Sequence, residues 1–166
     1  MRRAAIRRGL AAAMLAGLLA PAAPAVAQNS APPGLAIEGR VEHPRTLALT
    51  DLTALPPATV QVEHTHGQDA QKETFTGALL WPLLTAAGPV DEPGKRTFLQ
   101  HTVLARGQDG YAVALAIGEL DPNFEGKQVL IAYAQDGKPL PGLRLVVPAD
   151  TRGGRSVHDL VAIEVR

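Results

Sequence analysis

The stretch Ala58–His66, ATVQVEHTH, alternates apolar and polar residues, as a half-buried β-strand does. Successive side chains of a strand point to opposite faces, so Val60 and Val62 share one face with His64 and His66. The two histidines therefore continue a partly apolar face at the end of this predicted strand. By itself the pattern is typical of a wet strand end, and its meaning depends on the segments around it.

Short strand patterns occupy most of the chain on both sides of this stretch. They lie at residues 35–43, 72–77, 96–106, 111–116, 128–134, 143–148 and 157–166. Two short helices are predicted: one in LTDLTALP, with Thr50 as its N-cap, and one in ALLWPLLTAAG, ended by Gly88 and with Pro82 in its first turn. The short amphipathic stretch IGELDP is a candidate for a third. There is no internal repeat and no long helix. We therefore expect an α+β fold with β-rich mixed sheets and two or three short helices.

The N-terminal segment has the pattern of a signal peptide. Arginines at positions 2, 3, 7 and 8 precede an apolar run that is too short to span a bilayer, and Ala25 and Ala27 form a small-x-small end. We expect residues 1–27 to be removed on export, residues 28–34 to be a flexible lead, and residues 35–166 to form one domain. The pattern predicts export to the periplasm, by either the general or the twin-arginine route. It also predicts a protein that is not an integral membrane protein.

Charge and cysteine content exclude some functions. The chain has 16 basic and 16 acidic residues, but the predicted signal peptide holds four of the arginines and no acid, which leaves 12 against 16. An acidic domain without a basic patch has no electrostatic reason to bind nucleic acid. The chain contains no cysteine, so disulfides, a cysteine nucleophile and a thiolate metal ligand are all excluded.

The order of six segments resembles the sulfite-oxidase-type fold, the oxidoreductase molybdopterin-binding domain. The segments are LTDLTALPPATVQVEH, FTGALLWPLLTAAG, DGYAVALAIGEL, VLIAYAQDGKPLP, LRLVVPAD and GRSVHDLVAIEV, and the resemblance runs from about Leu35 to Arg166. It implies the fold and a connection with pterins. The strand and helix patterns alone imply neither.

The departures from the family pattern concern the metal. In the enzymes a cysteine thiolate at the end of the strand equivalent to VQVEH ligates molybdenum, and His64 stands at that place here. A neutral imidazole cannot supply the charge of a thiolate. In the closing motif, RSVHDL, Arg155 keeps one basic position, while His158 replaces the other and Asp159 replaces a tryptophan. The loop before LRLVVP is also shorter than in the enzymes.

The resemblance to short exported members without this cysteine implies a non-catalytic pterin-binding protein. Such proteins carry a reduced, tetrahydropterin-like ligand and present it to the periplasmic domain of an inner-membrane enzyme of cyclic di-GMP signalling. We therefore expect a pterin ligand, no molybdenum, no covalently bound cofactor and no catalytic residue.

A pterin ring requires a slot, carboxylate or carbonyl acceptors, and hydrogen-bond donors. An aspartate facing its 2-amino and N3–H edge would form a bidentate pair, for which Asp150 and Asp159 are candidates. Arg152 and Arg155 flank two glycines and could hold an anion. The complete set of predicted ligand-binding residues is His64, His66, Gln68, Asp109, Tyr111, Asp150, Arg152, Arg155, Ser156, His158 and Asp159.

Three alternatives remain open from the sequence. The first is an oxidoreductase that still carries molybdopterin, for which the arginine pair before Gly9 is a weak sign of twin-arginine export. The second is a zinc or copper protein that binds through His64 and His66, with His158 or His101 completing the set. The third is an exported domain with a purely structural role.

Overall fold

The computed structural model describes residues 34–66, 69–94 and 97–166, with only the backbone described for residues 64–66 and 69–71. The predicted signal peptide, nearly all of the predicted lead, and Gln68 lie outside these residues. No helix in the described ranges is long and apolar enough to cross a membrane. The strands are β1 Leu35–Gly39, β2 Arg45–Leu47, β3 Ala58–His66, β4 Asp69–Leu79, β5 Thr102–Gly107, β6 Ala112–Ala116, β7 Leu130–Gln135, β8 Lys138–Val146 and β9 Leu160–Val165. The helices are α1 Leu49–Thr53, α2 Leu80–Ala87 and α3 Ile117–Leu120, with short 3₁₀ turns at Thr97–Gln100 and Gly153–Arg155.

The described strands form two sheets. One has the order β2-β1-β9-β5-β6, and it is mixed because β1 and β9 run parallel. The other has the order β3-β4-β7-β8 and is antiparallel. This β-rich architecture with three short helices confirms the predicted α+β class.

Two apolar clusters hold the sheets. The larger one contains inward residues of the five-stranded sheet, such as Val103 and Ile163, together with Leu80 and Leu84 of α2, all of them fully buried. The smaller one lies on one face of the four-stranded sheet and is centred on Phe75, with contributions that include Val60, Val62, Leu130 and Val146. Each such side chain contributes about 1.5–3 kcal/mol when it leaves water.

Several local predictions can be compared with the structure. Gly88 ends α2 in the left-handed conformation at φ 69°, and Pro82 lies in its first turn, as predicted. The N-cap prediction was wrong, because α1 begins one residue before Thr50 and Ala48 is its N-cap. The strand predicted over residues 96–106 was also wrong in its first half, where Thr97–Gln100 forms a 3₁₀ turn and β5 starts at Thr102.

Two irregularities shape the four-stranded sheet. The pairing of β4 with β7 shifts register at Thr76 and Gly77. The pairing of β7 with β8 shifts between Ala132 and Ala134, so residues 140–143 of β8 leave the ladder. A bulge of this kind bends the strand and redirects its side chains. The displaced part of β8 becomes the wall of the pocket described below.

Gly77 provides a test of this packing. A Cβ atom at Gly77 would collide with the carbonyl oxygen of Ile131 and lie 2.6 Å from the Cα of Ala132. Backbone atoms of a buried strand cannot move aside easily, so Gly77→Ala should lower the free energy of unfolding by at least about 2 kcal/mol. Gly154→Ala is the control, because a Cβ there meets nothing within 4 Å. Urea denaturation measures both, and equal stabilities would contradict the described register.

Candidate functional site

A pocket of about 160 Å³ opens between the bulge of β8 and the start of β9. Leu140 and Leu143 from the bulge, Leu160 and Val161 from β9, and Tyr133 from β7 supply an apolar lining. An aspartate, Asp159, brings a carboxylate to this lining, which also includes Gly34, Leu49, Gln108, Pro139, Pro141 and Gly142. An apolar slot with few, well-placed polar groups is typical of a small-molecule site.

Asp159 is held in an unusual backbone conformation. Its φ of 45° lies in the left-handed region, which non-glycine residues rarely adopt and which costs about 1–3 kcal/mol. The carbonyl of Asp159 accepts a hydrogen bond from the N–H of Gln108 at 2.9 Å. Its carboxylate lies directly against Gly142, where any Cβ would collide with Oδ1. The glycine in the bulge therefore makes room for the carboxylate.

Next to this corner, Arg144 of β8 forms the centre of a polar network. Its guanidinium lies 5.4 Å from the centre of the Phe75 ring, within range for a cation–π contact. It donates hydrogen bonds to Oε1 of Gln135 at 3.2 Å and to Nδ1 of His158 at 2.9 Å. Gln135 in turn donates to Oε1 of Glu73 at 2.8 Å. The network thus runs from β4 through β7 and β8 to the residue preceding Asp159.

The electrostatics of Arg144 reflect its position. Burial lowers the pKa of its guanidinium, while the negative charges of Glu73 and Asp159 act in the opposite direction. Arginine remains protonated in proteins, so a positive charge persists beside the Asp159 carboxylate.

The contact with Arg144 determines what His158 can offer a ligand. A guanidinium can only donate hydrogen bonds, so Nδ1 of His158 must be the acceptor. While this hydrogen bond is made, Nδ1 carries no proton and the ring N–H is at Nε2. His158 is exposed and therefore presents an N–H donor to solvent or to a ligand.

The Gly-rich loop is fixed by its own charges. Arg155 donates to both carboxylate oxygens of Asp150, at 2.8 and 2.6 Å, and to Glu119 at 2.9 Å. The hydrogen bond with Asp150, followed by that with Glu119, raises the pKa of Arg155. The hydroxyl of Ser156 donates to the carbonyl of Leu145 at 3.1 Å. A ligand anion at Arg155 would have to compete with two carboxylates.

The QDGY turn supports the same loop. The hydroxyl of Tyr111 donates to the carbonyl of Gly154 at 2.6 Å, and Asp109 accepts the backbone N–H of Tyr111 at 2.9 Å. Arg152 is exposed. These predicted residues therefore lie around the loop. Asp159, by contrast, lines the pocket, and His158 belongs to the Arg144 network.

The two strand-end histidines are described only by their backbone. His64 pairs with Gln71 and His66 with Asp69 at the far end of the β3–β4 ladder. Val62 pairs with Glu73, which belongs to the Arg144 network. His64 lies two residues beyond Val62 along β3. The register places the predicted site of metal-ligand loss at the same end of the sheet as the network.

Sequence reasoning missed Arg144, Gln135, Glu73 and Tyr133. Arg144 carried a signal, because it is a lone charge inside the apolar strand pattern LRLVVP. A charge in such a strand is rarely buried without partners. The other residues carried none, since their roles depend on the bulge and on the register between β4, β7 and β8.

Among the described side chains, which do not include those of His64 and His66, no group of three or more histidine, cysteine or acidic residues could hold a metal ion. His101 is buried at the start of β5 and is already engaged. Its Nε2 lies 2.9 Å from Oδ1 of Asp91, and its Nδ1 lies 3.3 Å from the carbonyl oxygen of Arg166.

The described fold is of the sulfite-oxidase-like, molybdopterin-binding type, as two comparisons with known proteins show. Residues 29–166 match the sequence profile of the oxidoreductase molybdopterin binding domain, and the chain belongs to this family. The structure is similar to the crystal structure of the sulfane dehydrogenase SoxCD from Paracoccus pantotrophus, with a TM-score of 0.64 and 20% sequence identity. The similarity covers 80% of this chain and 38% of that chain, so the protein spans about two fifths of its length. No curated protein sequence matches the chain.

The residues of this corner are hydrogen-bonding groups, and the chain holds no thiolate for a metal centre. No cysteine exists anywhere in the chain to supply a thiolate ligand. A carboxylate, a guanidinium and an imidazole N–H, by contrast, are suitable partners for the amide and amino groups of a pterin. A closed cavity of about 150 Å³ holds benzene, so an open pocket of 160 Å³ encloses a bicyclic ring only in part.

The charge network of the loop predicts a pH dependence. Burial acts to raise the pKa of Glu119, but hydrogen bonds from Lys127 and Arg155 outweigh it and lower the pKa to about 2. The folded-state pKa is thus below the ordinary value of 4.5, so the stabilisation is complete above about pH 4.5 and is lost as the pH falls to about 2. Because Glu119 is partly exposed, solvent screening limits this stabilisation of the folded state to about 1–2 kcal/mol.

We therefore expect Glu119→Gln to destabilise the protein at pH 7 and to have little effect near pH 2. Urea denaturation at several pH values measures the difference in free energy of unfolding. Glu125→Gln is the control, because that carboxylate is half exposed and contacts only Lys127, at 3.0 Å, among the ion pairs of the described residues. A Glu119 effect that stays constant down to pH 2 would contradict the assigned network.

Proposed function

We propose that the protein is a non-catalytic, periplasmic pterin-binding protein that presents a reduced pterin to the periplasmic domain of an inner-membrane enzyme of cyclic di-GMP signalling. The observation that carries the proposal is the corner at Asp159. There the strained residue Asp159 holds a carboxylate at an apolar pocket. The preceding residue, His158, accepts a hydrogen bond from Arg144.

The chemistry of this corner suits the polar edge of a pterin. A carboxylate accepts hydrogen bonds from a 2-amino group and an N3–H, and such charge-assisted pairs are about twice as strong as neutral ones. The Nε2–H of His158 is a donor suited to the ring carbonyl. The apolar side chains of the pocket and the Tyr133 ring provide a surface for the flat faces of the ligand.

The absence of cysteine supports binding without metal chemistry. Family enzymes need a thiolate on molybdenum, and this chain has none to give. Arg155, which a phosphorylated cofactor would use as a counter-ion, is neutralised by Asp150 and Glu119. Both features favour a free pterin ligand over a catalytic molybdopterin.

The signalling partner rests on the resemblance to short exported family members. The N-terminal pattern of the chain supports export, and the six segments support membership of that group. The exposed position of His158 and Asp159 is consistent with a ligand that a second protein can reach.

Purification of the protein from its native compartment tests ligand and metal together. We expect no stoichiometric molybdenum, and a ligand released by acid that shows pterin fluorescence. Incubation with sulfite and with sulfoxides should give no turnover. Stoichiometric molybdenum with a dithiolene pterin and turnover would instead identify an oxidoreductase, the alternative that the family name favours.

Asp159 and Asp150 are both candidates for the pterin-facing carboxylate, and the contacts of Asp150 with Arg155 favour Asp159 for that role. Asp159→Asn should weaken binding of a reduced pterin by about 10- to 100-fold, because a charge-assisted pair is worth about 1.5–3 kcal/mol. Asp150→Asn is the matched control and should change affinity little, since both Asp150 oxygens face Arg155. Fluorescence titration measures both variants. The reverse order of effects would move the ligand to the Gly-rich loop.

A further inference from the structure

The two sheets of the described structure have four edge strands, and three of them carry features that discourage pairing with another chain. β2 is only three residues long and includes Arg45. β8 contains Pro139 and Pro141 and is interrupted by its bulge. β3 carries the exposed Glu63 next to an exposed Lys72 on β4. Short length, proline, bulges and charges are the usual means by which proteins protect sheet edges.

The remaining edge, β6, has no proline, bulge or charged residue of its own, and of its outward N–H groups only the last, that of Ala116, is already bonded, to Glu119, among the described residues. Its sequence is AVALA, and no charged residue or proline occurs between Gly110 and Gly118. Ala112, Ala114 and Ala116 are exposed. An unprotected edge of this kind is a template for pairing with another strand.

The hydrogen bonds of β6 show which of its groups are free for such pairing. Gly107 donates to the carbonyl of Tyr111 at one end of the β5–β6 ladder, and Ile117 donates to the carbonyl of His101 at the other. Antiparallel strands alternate, so Val113 and Leu115 also direct their N–H and C=O groups toward β5. The N–H and C=O groups of Ala112 and Ala114 therefore point away from the sheet.

We propose that two copies of this chain associate through β6, antiparallel about a two-fold axis at Val113, so that their five-stranded sheets become one continuous sheet. In this register Ala112 of each copy lies opposite Ala114 of the other. Each free N–H of these alanines then meets a free carbonyl, and Val113 meets its own copy in a non-hydrogen-bonded pair.

A second copy fits this edge for two reasons. First, the free groups are self-complementary, since the same two residues supply every donor and every acceptor, as an isologous interface requires. Second, the side chains that meet across the axis are small and uncharged, so no like charges oppose each other. Arg106, which pairs with Ala112 from β5, contacts Glu164 within its own copy. Glu119, which accepts the Ala116 N–H, is paired with Lys127 and Arg155 of its own copy.

Sedimentation equilibrium of the full chain, at about 1 to about 500 μM, tests the association. We expect a reversible dimer. Ala114→Pro removes the outward N–H without touching the β5 ladder, and it should raise the dimer dissociation constant at least about 30-fold. Ala114→Thr keeps the N–H and should leave the dimer intact. A monomer at every concentration, or equal dimerisation of both variants, would overturn the proposal.

A cysteine variant gives an answer that does not depend on how well the proline variant folds. Because the chain has no cysteine, Val113→Cys introduces a single thiol at the proposed axis. A non-hydrogen-bonded pair sets the two Cα atoms about 4.5 Å apart, within the range that a disulfide needs. We expect mild oxidation to give a covalent dimer quickly with Val113→Cys and slowly with Thr46→Cys, placed on the opposite edge strand. Equal rates would contradict pairing through β6.

Discussion

The contact on which the site depends is a backbone bridge between the four-stranded sheet and the segment that leads into β9. Leu145 of β8 and Val157 exchange hydrogen bonds, from Leu145 N–H at 2.9 Å and from Val157 N–H at 3.2 Å, and both residues are fully buried. The bridge fixes the chain just before it enters β9. His158 and Asp159 follow at once, so their position against Arg144 is a direct consequence of this pairing.

Two arginines, Arg155 and Arg144, lie on opposite sides of this bridge and differ in their partners. On the side of the Gly-rich loop, Arg155 forms ion pairs with Asp150 and Glu119, and these pairs stabilise the fold. On the side of the pocket, Arg144 donates its hydrogen bonds to Gln135 and His158 and not to a carboxylate, while the nearby charges of Glu73 and Asp159 act on its guanidinium through space. This difference favours the pocket as the place where a ligand is recognised.

The fold was predictable from the sequence to the level of its strands, and the site only in part. Alternation identified β3, and a glycine identified the end of α2, because both signals are local. The importance of His158 and Asp159 followed from their place in the closing motif. Arg144, Gln135 and Glu73 could not be grouped in advance, since they meet only through the shifted register of β7 and β8. Thr50 failed as a cap because Ala48 precedes the helix and Asp51 bonds back to its N–H.

The strain at Asp159 gives the strongest structural argument for a functional corner. A left-handed aspartate costs free energy, and a glycine at this position would relieve the cost without losing the hydrogen bond between its carbonyl and Gln108. What a glycine would lose is the carboxylate. The fold also gives up a side chain at position 142 to accommodate that carboxylate. The chain thus accepts a local cost at Asp159 for one charged group, and strained residues of this kind cluster at ligand sites because binding depends on the group they hold in place.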